Sequence, residues 1–145
     1  MTAYADTGFL ISVHSPDANT GRAIARMDIQ VFPLPWSWLH ELEFRNAMRL
    51  RVFRRQIREE ELYRVFGKVT LRSTSGVYQT VIPPVEESSG EAERLSAAYT
   101  ETLGVRSLDL LHVAHAIILG IKEFLTFDQR RAALAKAAGL HVPEL

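Results

Sequence analysis

The chain has 145 residues, no cysteine, and equal numbers of basic and acidic side chains, 17 of each. The length fits one domain over residues 1–145, and the apolar share of 47% is ordinary for a packed core. The lack of cysteine excludes disulfides and thiolate zinc sites and favours a reducing, cytoplasmic compartment, while zero net charge argues against a protein that simply coats nucleic acid.

The predicted elements alternate between short apolar strands and helices. In chain order they are strand 3–5, a helix from about residue 9, helix 19–27, strand 30–34, helix 36–55, helix 59–69, helix 87–103, helix 108–119, strand 123–127, helix 129–138 and strand 141–143. The stretch 70–84 fits no motif. This order predicts an α/β fold, a three-layer α/β/α sandwich with a short central parallel sheet. The apolar run 9–13 is too short to span a bilayer and has no basic flank, so we expect neither a signal peptide nor a membrane anchor.

The helix predicted over residues 36–55 carries two glutamates in different positions. With about 100° per residue, Glu43 lies within about 40° of Leu39 and Ala47, whereas Glu41 lies about 160° away on the solvated side. The apolar stripe of this helix comprises Trp36, Leu39, Asn46, Ala47, Leu50 and Phe53. A carboxylate on such a stripe costs several kcal/mol unless it is paired or bound to a metal. A salt bridge to Arg54, which shares the face, and a metal ion both remain open.

Three aspartates stand beside predicted strand ends and helix starts. Asp6 follows the first strand, at the edge where open α/β sheets bind ligands, and Asp128 stands between a strand and a helix. Asp109 falls in the first turn of its helix. Taken one at a time, each aspartate has a structural explanation. Asp6 and Asp128 could cap their helices, and Asp109 could be stabilised by the dipole of its helix.

Taken together, these four carboxylates lie on edges that a parallel sheet can bring close to one another. Converging carboxylates repel each other unless cations fill the site. The chain has no cysteine and no zinc-binding histidine pair, so we expect these carboxylates to bind a hard cation such as Mg²⁺ or Mn²⁺. Metal held in this way can activate water and polarise a phosphodiester. The residue pattern therefore predicts a metal site that can hydrolyse phosphodiesters.

Four segments of the chain carry a family resemblance. They are Tyr4-Ala5-Asp6-Thr7, Glu43-Phe44-Arg45-Asn46-Ala47, the run from Arg106 to Ala114, and Phe124-Leu125-Thr126-Phe127-Asp128 followed by Gly139-Leu140. In this order and spacing they resemble PIN domains, and most closely the VapC-type toxins of prokaryotic toxin–antitoxin (VapBC) pairs. Gly8 is a departure, because a serine often follows the Asp-Thr pair in that family.

The resemblance implies a PIN fold and endoribonuclease activity that depends on Mg²⁺ or Mn²⁺. It implies an RNA substrate, homodimerisation, and inhibition by a VapB-type antitoxin in a higher complex. Asp6, Glu43, Asp109 and Asp128 match the acidic site of the family. Thr7 and Thr126 match hydroxyl positions beside it, and Asn46 matches the helix position after the glutamate.

Two further features could contribute to the site. His112 lies one turn from Asp109 and could reach a metal or phosphate, although a packed histidine is the more common case. Six arginines without an intervening acid could contact RNA phosphates or an acidic partner, or form a solvated face: Arg45, Arg49, Arg51, Arg54, Arg55 and Arg58. Arg54 is expected to face inward, about 20° from Glu43 on the wheel.

Two other functions fit the same sequence. One is an RNA-processing PIN nuclease without an antitoxin, and the other is a catalytically silent module that binds a partner. The presence of all four acidic positions argues against the silent module.

Overall fold

Four short strands lie at the centre of the computed structural model, which describes all 145 residues. Strand β1 (Ala3–Ala5) pairs in parallel with β4 (Glu123–Leu125), and β2 (Leu34–Trp36) pairs in parallel with β3 (Tyr78–Thr80). β1 lies beside β2, but no regular ladder joins them. The central sheet therefore consists of two hydrogen-bonded pairs side by side.

Pro35 accounts for the missing ladder between β1 and β2. The Leu34 N–H donates to the carbonyl of Val77, and the Trp36 carbonyl accepts from Val81, so both residues direct these groups towards the β3 side. Pro35 lies between them, and because alternate residues of a strand direct their N–H and C=O groups to opposite sides, its backbone faces β1. Proline has no N–H to donate there.

Seven helices surround the strands. They are α1 (Thr7–His14), α2 (Thr20–Asp28), α3 (Trp38–Phe53), α4 (Glu59–Thr74), α5 (Val85–Leu103), α6 (Ser107–Ile118) and α7 (Gln129–Ala137). None of them combines the length and hydrophobicity needed to cross a membrane.

The strands separate two hydrophobic cores. Ala3 and Ala5 of β1 pack with the core that includes α1 to α4, whereas Tyr4 between them packs with the core of α5, α6 and α7. On β4, Leu125 joins the first core and Phe124 the second. Alternation along a strand thus places helices on both faces. The predicted α/β/α sandwich with parallel strands is confirmed.

Several predicted bounds are wrong. The strand expected at 30–34 begins only at Leu34, and Pro35, expected at a helix start, lies in β2. The first helix begins at Thr7 rather than near Phe9, because Asp6 caps it. Within 70–84, which the sequence left unassigned, α4 runs on to Thr74 and β3 follows. The strand expected at 141–143 is only an isolated bridge between Glu123 and His141.

The buried face of α3 also differs from the predicted stripe. The buried residues of this helix are Leu39, His40, Phe44 and Met48. Phe53 is 83% exposed, and Trp36 belongs to β2 rather than to the helix. The predicted stripe was wrong because it relied on Leu50 and Phe53 and left out Phe44 and Met48. His40, a polar residue, is buried on the same face through hydrogen bonds. Glu43 therefore lies at the edge of the buried face, with its side chain 20% exposed.

Candidate active site

The ends of β1 and β4 bring their following residues into direct contact. The Asp6 N–H donates to the Leu125 carbonyl at 3.0 Å, so Asp6 starts where the strand pairing ends. Asp6 Oδ1 accepts the N–H of Phe9 at 2.7 Å, which caps α1. Thr126 Oγ1 donates to Asp6 Oδ2 at 2.5 Å and accepts from the Asp128 N–H at 3.0 Å. One hydroxyl thus links the two aspartates that follow the strands.

Arg131 bridges two of the four predicted carboxylates. Its Nη1 donates to Asp6 Oδ2 at 2.8 Å, and its Nε and Nη2 donate to Asp109 Oδ1 at 2.9 and 2.7 Å. Asp6 and Asp109 are only 1% and 3% exposed, so each needs a cation nearby. Burial lowers the pKa of Arg131, but the charges of Asp6 and Asp109 outweigh burial and hold that pKa above its usual value. The guanidinium is therefore the resident counterion of the pair.

Asp109 is held as a carboxylate by the start of α6. Its Oδ2 accepts the backbone N–H of Arg106 at 2.9 Å. Burial raises the pKa of Asp109, but this N–H and Arg131 together outweigh burial and lower that pKa below its usual value. Asp128 is the N-cap of α7, where its Oδ1 accepts the Arg131 N–H at 2.8 Å.

Glu43 belongs to a separate hydrogen-bonded chain. Thr7 Oγ1 donates to Glu43 Oε1 at 2.9 Å, and His112 Nε2 contacts the same oxygen. Burial lowers the pKa of His112 to about 3, so the ring is neutral near pH 7 and its Nε2–H donates to the carboxylate. The other ring nitrogen accepts from the Tyr4 hydroxyl at 2.8 Å, and burial raises the pKa of Tyr4 so that it stays protonated.

His40 fixes the position of α3 relative to β1. Its Nε2–H donates to the Ala5 carbonyl at 2.9 Å, and its Nδ1 accepts the Ser37 N–H at 3.0 Å. Burial lowers the pKa of His40 to about 3, so this pattern requires the neutral ring. The start of α3 is thereby tied to the residue before Asp6, and Glu43 follows one turn later.

The acidic residues line two adjoining clefts. Asp6, Glu43 and Asp128 line a cleft of about 500 Å³, and Glu43 and Asp109 line a second cleft of about 450 Å³. Both clefts also contain Arg131, so the structure brings all four predicted acids to one continuous surface. In the arrangement described, no three acidic or histidine side chains converge closely enough to hold a metal ion.

The donor chemistry of the site nevertheless fits a hard divalent cation. All four acids offer carboxylate oxygens, the ligands that Mg²⁺ and Mn²⁺ prefer. Asp6 and Asp109 already share one cation, the Arg131 guanidinium, which shows that this buried pair requires positive charge between its members. The residues therefore fit a divalent ion in charge and in ligand type.

Two predicted site residues lie elsewhere. Asn46 is exposed and lines neither cleft, and Arg54 is exposed at the C-terminus of α3. The expectation that Arg54 faces inward is wrong. The angle between Arg54 and Glu43 was counted along a helix whose buried face had been assigned to the wrong residues, and α3 ends at Phe53, before Arg54. Arg51 occupies the cleft instead, where its Nη1 donates to Ser15 Oγ at 2.6 Å and its Nη2 lies 3.6 Å from Asp17.

No protein-family model matches the chain, and no curated protein sequence matches it. Solved structures do match. VapC20 of Mycobacterium tuberculosis, described as a Sarcin-Ricin loop cleaving toxin, has a TM-score of 0.70 at 18% identity, over 97% of both chains. FitAcB of Neisseria gonorrhoeae has a TM-score of 0.68 at 15% identity, over 97% of this chain and 96% of the other. VapBC2 of Rickettsia felis, solved with a DNA fragment from its promoter, has a TM-score of 0.64 at 13% identity, over 99% and 98%.

The chain has the fold of the VapC-type toxins. This confirms the PIN-like fold that the sequence resemblance implies. At identities of 13 to 18%, the likeness is one of fold.

The residue that sequence reasoning missed is Arg131. A signal for it was present, because Arg131 stands three residues after Asp128, in the first turn of the helix that Asp128 caps. A residue three positions after a helix cap lies on the same side of the helix as the cap, so its side chain can reach the groups near Asp128. Tyr4 was missed as well, since a tyrosine in a buried strand reads as part of the core.

Proposed function

We propose that this protein is an Mg²⁺- or Mn²⁺-dependent endoribonuclease that acts as the toxin of a VapBC-type toxin–antitoxin pair. The observation that carries the proposal is the acidic surface, in which Asp6, Glu43, Asp109 and Asp128 come from four separate parts of the chain to adjoining clefts. Structural stability alone does not require four carboxylates at one sheet edge. The fold shared with VapC20, a toxin that cleaves the Sarcin-Ricin loop, supports the same function.

Asp6, Glu43, Asp109 and Asp128 are the residues that would hold the metal. When bound, a divalent ion supplies Lewis-acid chemistry to water and to a phosphodiester. The chain supplies the positioning of the ligands. Thr126 and the N–H of Phe9 fix the two oxygens of Asp6, and Thr7 and His112 fix one oxygen of Glu43. These hydrogen bonds fix the orientation of the Asp6 and Glu43 side chains at the clefts.

Arg51 is the arginine of the basic block that we expect to bind RNA. It lines the larger cleft together with Asp6 and Glu43 and is about one fifth exposed. A guanidinium there can bind a phosphate beside the cut. Arg45 and Arg49 instead stack on the ring of Phe66, at 4.6 and 5.6 Å from its centre, which assigns them a structural role.

The proposal includes two protein partners. An antitoxin of the VapB type would bind over the acidic clefts. The fold shared with VapBC2, which was solved with a DNA fragment from its promoter, supports such a partner. A homodimer would cover the exposed apolar groove beside α5 and α6, which includes Trp38 and Val85, 49% and 74% exposed. Exposed apolar patches of this kind mark protein contacts.

A cleavage assay with a matched pair of variants tests the activity. Purified protein is incubated with a Sarcin-Ricin loop RNA and with total RNA, in Mg²⁺, in Mn²⁺ and in EDTA. We expect cleavage with either metal and none in EDTA. Glu43→Gln should reduce cleavage at least about 100-fold. Glu41→Gln should leave it unchanged, because Glu41 binds Arg45 and Trp36 outside the clefts.

Cleavage that is unaffected by EDTA, or equal in the two variants, would refute a metal site at these carboxylates. Toxicity on expression that is relieved by the product of a neighbouring gene would support the toxin role. Cleavage without such a gene would favour an RNA-processing nuclease instead.

A further inference from the structure

Arg131 closes the acidic site from within the chain. Its guanidinium donates three hydrogen bonds to two carboxylates, one to Asp6 and two to Asp109, over distances of 2.7 to 2.9 Å. The Arg131 side chain is 12% exposed, and those of Asp6 and Asp109 are 1% and 4% exposed. This forked contact satisfies the positive charge that the pair requires.

The same two carboxylates are members of the proposed metal site. A divalent ion bound to Asp6 and Asp109 would use Asp6 Oδ2 or Asp109 Oδ1, the oxygens to which Arg131 donates. A guanidinium and a metal ion cannot both lie between these oxygens, because they would overlap and because like charges repel in a poorly solvated site. The contacts are therefore mutually exclusive.

We infer that Arg131 is a built-in competitor of the metal, so that the site alternates between an arginine-closed state and a metal-loaded state with the guanidinium turned out. This inference rests on the proposed function and adds regulation to it. The metal must displace Arg131 before the site can act. Metal affinity is then set by the exchange of one cation for another rather than by binding to free carboxylates.

The local structure allows the side chain of Arg131 to move without moving its helix. The backbone N–H of Arg131 is held by the Asp128 cap, so α7 keeps its start in both states. The Arg131 side chain lines both clefts, which also share Glu43 as a lining residue. Rotation about its side-chain bonds would carry the guanidinium from the carboxylates into the cleft.

Metal binding in the absence of RNA tests the exchange. Mn²⁺ is titrated into wild-type protein, Arg131→Met and Arg130→Met, followed by calorimetry and by the electron paramagnetic resonance signal of free Mn²⁺. Arg131→Met should bind Mn²⁺ at least about tenfold more tightly than wild type, because the competing charge is gone. Arg130→Met removes an equal charge from the exposed neighbouring position and should change the affinity less than about twofold.

Thermal unfolding gives a second measurement on the same variants. In EDTA, Arg131→Met should unfold at a lower temperature than wild type, because two buried carboxylates lose their counterion. Added Mn²⁺ should raise its unfolding temperature by more than that of wild type. If Arg131→Met does not fold, Arg131→Lys replaces it. Lysine cannot fork across both carboxylates, so this variant should also bind Mn²⁺ more tightly than wild type.

The wild-type protein provides a test without substitution. The Nε–H of Arg131 donates to Asp109 and should give a protected signal in proton–nitrogen NMR spectra of the metal-free protein. Saturating Mg²⁺ should remove that protection. Unchanged or weaker Mn²⁺ binding by Arg131→Met, or protection that persists in Mg²⁺, would overturn the inference. These measurements need no RNA, so a failure to cleave RNA would refute the proposed function while leaving the exchange to be judged separately.

Discussion

Four buried histidines make the stability of this protein sensitive to mild acid. His14, His40, His112 and His115 are 6%, 0%, 0% and 0% exposed. Burial lowers the pKa of each, to about 4 for His14 and His115 and to about 3 for His40 and His112, from an ordinary value of 6.5. In the unfolded chain these rings take up protons below pH 6.5, whereas in the native protein they do so only below pH 4.

The sign and size of the effect follow from proton linkage. Between pH 6.5 and 4 the unfolded state binds more protons than the native state, so the free energy of unfolding falls as the pH falls. At pH 5.5, one pH unit below the pKa of the unfolded chain, the four histidines together lower the free energy of unfolding by roughly 5 kcal/mol, in nearly equal shares. A loss of that size approaches the whole stability of a small domain.

Urea unfolding at a series of pH values between 7.5 and 5.5 measures this dependence. His14 is the best position for a matched variant, because its only polar contact is the Tyr78 hydroxyl at 2.8 Å. The pair His14→Phe with Tyr78→Phe removes both polar groups and should be nearly neutral at pH 7.5. It should lose about 1 kcal/mol less than wild type on acidification to pH 5.5.

An exposed histidine serves as the control for this experiment. His141→Gln should follow the wild-type pH dependence, since His141 lies on the surface. Wild-type stability that stays level down to pH 5.5 would refute the reasoning. A His14→Phe/Tyr78→Phe variant whose pH profile parallels the wild-type profile would refute it for His14.

Three other predictions test individual contacts. Asp6→Asn should lower the free energy of unfolding by about 1–3 kcal/mol, because the charged contact with the buried Arg131 guanidinium is lost. Asp128→Asn should change the free energy of unfolding little, because asparagine caps a helix as well as aspartate does. Urea unfolding measures both variants. Arg51→Gln should weaken RNA binding and reduce its salt-dependence slope by roughly 0.7, and Arg54→Gln, outside the clefts, should not, as filter binding at several salt concentrations would show. Trp38→Ser should shift a dimer towards monomer in sedimentation velocity, and an unchanged sedimentation coefficient would contradict the proposed dimer face.

The sequence predicted the architecture and the acidic surface well because both depend on local rules. Short apolar strands followed by helix starts place Asp6 and Asp128 at the same sheet edge whatever the details of packing. Helix starts favour acidic residues, so Asp109 was placed correctly in the first turn of α6. None of these positions required knowledge of a distant contact.

Two residues of α3 depart from the burial that their own hydrophobicity predicts. His40 is among the most buried residues because it donates a hydrogen bond to Ala5 of β1, a contact 35 residues away in sequence. Phe53 is apolar and yet 83% exposed, because α3 ends there and the chain turns through Arg55, which has a positive φ of 57°. A wheel that scores each residue by its own hydrophobicity cannot distinguish these cases.

The contacts of the acidic residues determine how replacing one of them should change the free energy of unfolding. A cluster of carboxylates without partners would become more stable when one charge is removed. Here the buried Asp6 and Asp109 already share a cation, and Glu43 accepts two hydrogen bonds, so each of these acids has a partner in the folded chain. Loss of a negative charge from this pair should therefore lower stability in metal-free protein. The same substitution should abolish any stabilisation by Mn²⁺, and this combination of effects separates a charge-balanced site from a repulsive one.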